Sequence, residues 1–142
     1  MNAMGRVLAL DIGKKRIGLA LSDPDRIISQ PQGLLLRSRW EEEFQQLQSL
    51  IETSGVTEIV IGLPKRLDGS HGEMAEEAKA FAEHLKAQCH LPIHFWDERF
   101  STHAAERTLL EGNVRRKRRK QLIDQTAAVW ILQGYLDWRN TQ

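Results

Sequence analysis

Four acids in this chain stand where an acid is costly or conspicuous. Asp11 closes the aliphatic run VLALDI at 7–12, and a carboxylate in such a run loses hydration unless it is paired or binds a metal. Asp97 and Glu98 stand side by side after a second apolar segment, IHFW at 93–96. They read either as part of a site or as an acidic turn paired with Arg99. Asp124 has Ala127, Ala128 and Ile131 at i+3, i+4 and i+7, which aims it inward near a helix beginning. The competing reading is an acid favoured by the helix dipole and paired with Lys120. Carboxylates gathered without a counter-ion repel and raise one another's pKa, so a persistent cluster implies bound cations. All-oxygen ligation suits Mg²⁺ or Mn²⁺, which keep waters and take phosphate oxygens as further ligands. Two such ions about 3.5–4 Å apart would activate a water and stabilise the leaving oxygen of a phosphodiester.

Basic residues flank these acids. Lys14, Lys15 and Arg16 follow Asp11 directly, and Lys65 and Arg66 follow the run IVIGL at 59–63. Arg115, Arg116, Lys117, Arg118 and Arg119, with Lys120, form an unbroken block just before Asp124. The formal net charge is only +1, from 20 basic and 19 acidic residues, so with six of the bases in 115–120 the rest of the chain is net acidic. Such a block is either a solvated face or an electrostatic footprint for phosphate backbones. Phosphate contacts of this kind give affinity without sequence choice and with strong salt dependence. Gly13 and Gly18 allow close backbone approach or are ordinary hairpin glycines. Trp96 is placed to stack on a base or, as the better reading, to pack. His71, His94 and His103 show no metal-ligand spacing.

The elements that must position these groups alternate clearly. Arg6 to Ile12 is a nearly continuous apolar run, as expected of a central strand covered on both faces. Ile17 to Ser22 is a second strand, joined to the first by a hairpin-length GKKR. Ile27 to Leu36 supplies a third, in which Pro31 and Gly33 argue for an edge position or a break. Apolar residues at 40, 44, 47, 50 and 51 predict a helix from Trp40 to Glu52, ended by Gly55. A strand from Thr57 to Leu63 stops at Pro64. The next helix is expected from about Glu73 to Gln88, with a capping box from Ser70 and Glu73. Ile93 to Trp96 reads as a short fifth strand, Ser101 to Glu111 as a helix, and about Lys120 to Trp138 as a long final helix.

This order, a meander followed by strand and helix alternation, implies an α/β fold. Its sheet would be mixed and five-stranded, a three-strand antiparallel meander plus two parallel strands added by right-handed crossovers, with helices on both faces. Ligands collect at the carboxyl ends of parallel strands where the strand order reverses. Asp11, Asp97 and Glu98 all fall at such ends. The 142 residues suit a single domain spanning 1–142. With 41% hydrophobic and 27% charged residues, and no apolar stretch near the roughly 20 needed to cross a bilayer, the expectation is a soluble chain with no membrane contact. The N-terminal stretch lacks a signal-peptide pattern and Cys89 is the lone cysteine, which together fit a cytoplasmic protein with neither disulfide nor thiolate zinc cluster.

Four motifs in order, DIGKKRIGLALSD at 11–23, IVIGLP at 59–64 with DG at 68–69, DERFST at 97–102 and IDQTAAVWILQGYLD at 123–137, resemble the YqgF (RuvX) family. That family comprises pre-16S ribosomal RNA nucleases of RNase H-like fold, once described as Holliday-junction resolvases. The resemblance spans nearly the whole chain. It implies that Asp11, Glu98 and Asp124 are the catalytic, metal-binding acids, with Asp97 as an alternative ligand. It also implies a two-metal phosphodiester hydrolase acting on pre-rRNA at its 5′ end during ribosome biogenesis, in contact with ribosomal particles. Many proteins of this fold carry a further acid near the final-helix aspartate, where this chain has Ala127 and Ala128. Three other functions are weighed against the first. One is a resolvase of structured DNA, and another a non-catalytic, nucleic-acid-binding assembly factor. The last is an ATPase or kinase phosphate site, because D-x-G-x-x-x-x-G-x-A at 11–20 also resembles the first phosphate motif of the actin and sugar-kinase superfamily.

Overall fold

Arg6–Ile12 forms β1, and Val7, Leu8, Ala9 and Leu10 are all 0% exposed. Burial on both faces explains why the run is apolar at consecutive rather than alternate positions. In this computed structural model the described residues are 5–64, 72–97 and 116–142, with side chains from 127 onward in the last segment. Arg16–Ser22 is β2, antiparallel to β1 with Asp11 opposite Gly18 and Ile12 opposite Ile17. Between them the Gly13 N–H donates to the Arg16 carbonyl at 2.9 Å. A Cβ on Gly13 would sit 2.7 Å from that same carbonyl oxygen, so the turn requires glycine.

Ser29–Leu36 is β3, an edge strand paired antiparallel to β2. Leu19 pairs with Gly33 and Ala20 with Pro31, which leaves Gln32 as an extra residue in a bulge, with Gly33 at φ +94°. The edge position inferred from Pro31 and Gly33 is therefore correct. The strand starts later than Ile27 because one oxygen of Asp23 accepts the N–H groups of Ile27 and Ile28 at 2.7 and 2.8 Å, closing a turn first.

Trp40–Ser54 is α1, ended by Gly55 in the left-handed region, φ 70° and ψ 41°. Glu41, Glu42 and Glu43 occupy its first turn, where the helix dipole favours acids. Val56–Leu63 is β4, parallel to β1, and Glu73–Gln88 is α2. The expected capping box does not start α2. Its cap is Gly72, whose carbonyl accepts the Glu76 N–H at 3.1 Å with no side-chain cap bond, and Ser70 lies outside the described residues. Ile93–Asp97 is β5, parallel to β4. Arg116–Asn140 is α3, which begins before the expected Lys120 because Arg, Lys and Gln propagate a helix well. The helix expected from Ser101 to Glu111 lies outside the described residues.

The strand order is β3-β2-β1-β4-β5. Leu8, Leu10, Ile17, Ile59 and Ile61 face α1 and α2, meeting Leu47, Phe81 and Leu85. Val7, Ala9, Ala20 and Val60 face the other way, onto Ala128, Ile131, Leu132, Tyr135 and Leu136 of α3. The mixed sheet with helices on both faces is the architecture expected from the sequence. Burying each large aliphatic side chain contributes about 1.5–3 kcal/mol, so both layers are needed to hold β1 dry.

Candidate active site at the carboxyl edge of the sheet

Asp11 is half-buried and lies on the α3 face of β1, in register with Val7 and Ala9 two and four residues back. A Cβ placed on Gly18 would lie 3.6 Å from the Asp11 Cβ, 3.7 Å from the Ala128 Cβ and 3.9 Å from Leu34. Asp11 therefore sits level with Ala128, across a strip that Gly18 leaves without a side chain. Further along α3, Tyr135 reaches Glu58, which pairs with Val7 near the opposite end of β1. The helix therefore runs antiparallel to β1. Residue 124, one turn before Ala128, is about 6 Å further toward the carboxyl edge of the sheet. Only the backbone of Asp124 belongs to the described structure; its side chain, like Glu98, lies outside it. Among the described residues no three His, Cys, Asp or Glu side chains form a metal-sized group, and of the three expected acids only Asp11 has a described side chain.

Strand register fixes the face on which Asp97 lies. His94 pairs with Val60 and Trp96 with Gly62, on the face of β5 that carries Tyr135, whereas Asp97 pairs with Leu63 on the α1 and α2 face. Asp97 is thus on the opposite side of the sheet from Asp11. Trp96 packs, as its better reading had it: its ring lies 6.0 Å from Tyr135 and 5.9 Å from Trp138, against Gly134.

The basic residues distribute unevenly. Arg16 is exposed and shares the Asp11 face, one pleat beyond Gly18. Lys14 is exposed with its Nζ 3.8 Å from Glu73, which draws it toward α2, and Lys15 is exposed in the turn. Arg116, Lys117, Arg118 and Arg119 occupy the first turn of α3, with their side chains outside the described set. Lys65, Arg66 and Arg115 lie outside the described residues altogether.

Sequence reasoning passed over a second acid in an apolar strand. Glu58, in VTEIVIGL, is only 4% exposed, and the rule that singled out Asp11 applies to it equally. Its oxygens accept hydrogen bonds from the Tyr135 hydroxyl and Arg139, and from Arg26 at 3.1 Å, with His94 Nε2 at 3.5 Å. Burial alone would raise the Glu58 pKa, but the hydrogen bonds from Tyr135 and Arg139 and the charges of Arg139 and Arg26 outweigh it and hold the carboxyl below its ordinary range. The reciprocal effect, with burial first and then the bond to Glu58, pushes the Tyr135 phenol up to about 12. Glu58 is therefore a paired structural anchor for the far end of α3.

The meander, the two parallel crossovers, the helices on both faces and the acid at the carboxyl end of the central strand define an α/β protein of RNase H-like fold. Residues 5–138 match the RuvX family model, described as Holliday junction resolvase, and the chain belongs to that family. The protein of Moorella thermoacetica named "Putative pre-16S rRNA nuclease" is 48% identical over 132 residues, spanning 93% of this chain and 94% of its own. Proteins of the same name from Paracoccus denitrificans and Halothermothrix orenii are 47% and 44% identical. These two alignments cover 94% and 95% of this chain and 84% and 96% of the relatives.

Proposed function

We propose that this chain, a single domain, is a cytoplasmic metal-dependent endonuclease that hydrolyses a phosphodiester near the 5′ end of pre-16S rRNA, acting on ribosomal particles during ribosome biogenesis. The observation that carries the reading is the placement of Asp11. It lies on the α3 face at the carboxyl end of the central strand, one helical turn from the level of residue 124. The second acid is Glu98 rather than Asp97, because the two-residue alternation that puts Trp96 on the Asp11 face puts Asp97 on the other. The hard oxygen donors of Asp11, Glu98 and Asp124 fit Mg²⁺ or Mn²⁺. When bound, such an ion supplies a lowered pKa for the attacking water and charge for the leaving oxygen.

The chain's own residues do the rest. Asp11 is held by a strand buried on both sides, so its carboxylate needs little reorganisation when charge develops nearby. Arg16, on the same face, takes a backbone phosphate, and Lys14, Lys15, Lys65, Arg66 and the 115–119 bases extend that positive track without reading sequence. Among the described residues no helix is long and apolar enough to cross a membrane. The family description favours a second substrate, a four-way DNA junction.

The test incubates the protein with pre-16S rRNA, a four-way DNA junction or ATP, each with Mg²⁺ or Mn²⁺, beside Asp11→Asn. Metal-dependent RNA cutting that falls at least about 100-fold in the variant is expected. Equal background cutting by both proteins would sink the reading, junction cutting alone would move it to DNA, and ATP turnover would favour a phosphate-transfer site.

A further inference from the structure

Arg37 follows β3 and has no part in the acid site, yet its donors converge on the turn beside it. Its backbone N–H donates to the Lys15 carbonyl at 3.0 Å and its Nη1 to the Gly13 carbonyl at 2.7 Å. On its other side Nε donates to Glu43 Oε2 at 2.8 Å, and the same oxygen accepts the Ser38 N–H at 2.9 Å. Glu43 is a helical acid whose side chain is only 3% exposed. The same Nη1 also reaches Glu77 at 3.4 Å, and the guanidinium lies 5.9 Å over the Phe81 ring. Arg37 thus holds both ends of the segment 13–15, between Asp11 and Arg16: its backbone meets Lys15, and its side chain ties Gly13 to α1 and α2.

A buried ion pair is weak evidence of stability, since apolar replacements often do as well. What an apolar pair cannot do is donate to the Gly13 carbonyl and to carboxylates of two helices at once, which is the use a rigid guanidinium fork serves. We propose that Arg37, braced by the buried Glu43 carboxylate, is a positioning residue that fixes the turn between β1 and β2 so that its basic side chains meet nucleic-acid phosphates. This rests on the nucleic-acid-cleaving reading of the site. Without the Arg37 side chain the turn loses its tie to the helices, so its internal Gly13 to Arg16 bond opens more often and Lys14, Lys15 and Arg16 sample directions away from Asp11.

The experiment measures two things on the wild type, Arg37→Gln, Arg37→Lys, Glu43→Gln, Arg16→Ala and the Arg37→Gln/Arg16→Ala double variant. One is affinity for a fluorescein-labelled pre-16S rRNA fragment and for a labelled four-way junction, with Ca²⁺ replacing Mg²⁺. The other is amide hydrogen exchange. Arg37→Gln is expected to weaken binding about tenfold, as for loss of one charged hydrogen-bonding partner. Arg37→Lys should recover only part of it, and the double variant should lose little beyond its larger single, because both changes act through the same phosphate interaction. The Gly13 amide should lose protection in Arg37→Gln and Glu43→Gln while Val60 and Ile61 amides keep theirs. Additive losses with unchanged Gly13 exchange would overturn the role, as would protection lost equally in β4. A wild type that binds neither probe overturns the function reading and this role with it, whereas a wild type that binds and an indistinguishable Arg37→Gln overturn the role alone.

Discussion

Gly13 and Gly18 sit on either side of the turn beside Asp11 and differ in what they leave room for. An alanine methyl at Gly13 would lie 2.7 Å from the Arg16 carbonyl oxygen, a backbone atom that moves only if the hairpin opens. Gly13→Ala should therefore cost about 1–3 kcal/mol of unfolding free energy, as overpacking does. At Gly18 the nearest atoms are 3.6 and 3.7 Å away, ordinary van der Waals distances, so Gly18→Ala should change stability by no more than about 0.5 kcal/mol. Urea unfolding of the two variants checks the pair, and equal losses would show that the turn is not the constraint. Asp11 and Glu58 are both acids inside apolar strands. That placement marked Asp11 in the sequence, but only structure shows that Glu58 is neutralised by partners distant in sequence. Arg139 stands 81 residues from Glu58, beyond any local pattern. For the same reason the face of Asp97 depends on strand pairing, which no window of sequence contains.

At the scale of elements, α3 is the part whose placement decides where position 124 lies, and its far end is pinned by charge. Arg139 and Tyr135 reach the buried Glu58, Asn140 donates to the Arg26 carbonyl at 3.0 Å, and Gln133 donates to the Ile27 carbonyl at 2.9 Å. Removing the acid leaves Arg26 and Arg139 facing each other, so Glu58→Ala should cost about 3–5 kcal/mol. The pH dependence has a definite sign. The folded pKa of Glu58 is lowered from its ordinary 4.5, so its contribution is full above that value and is lost as pH falls through the folded pKa. Wild type and Glu58→Gln should thus differ by a constant amount at neutral pH and converge below about 4.5 in urea titrations run at stepped pH. A gap that widens in acid would refute the pairing. Most element boundaries were legible because apolar period, Gly55, Pro31 and Gly33 are local signals. The start of α2 fell at the expected Glu73, but its cap was not legible, since a backbone cap by Gly72 leaves no side-chain signature. The start of α3 was not legible either, since a basic run reads as a solvated linker until the helix is seen to include it.

For the whole molecule the remaining question is why a net acidic body carries a basic block. The first turn of α3 holds Arg116, Lys117, Arg118 and Arg119 and no acid, although a helix N-terminus is the end that favours negative charge. Each such base costs roughly 0.3–1 kcal/mol at low ionic strength. A local conflict of this kind marks a functional constraint more often than a defect. It also separates the two readings of the block, because a merely solvated face would gain nothing from accepting it. Replacing Arg116, Lys117 and Arg118 with glutamine should raise the melting temperature by a few degrees as the dipole conflict is relieved. The same variant should bind pre-16S rRNA more weakly, and the slope of log affinity against log salt should flatten by about 0.7 for each single-strand phosphate that the protein ceases to neutralise. Scanning calorimetry and binding titrations across a salt series read the two effects independently. Greater stability with an unchanged slope would mean that these bases face water, and the phosphate track would then end at Arg16.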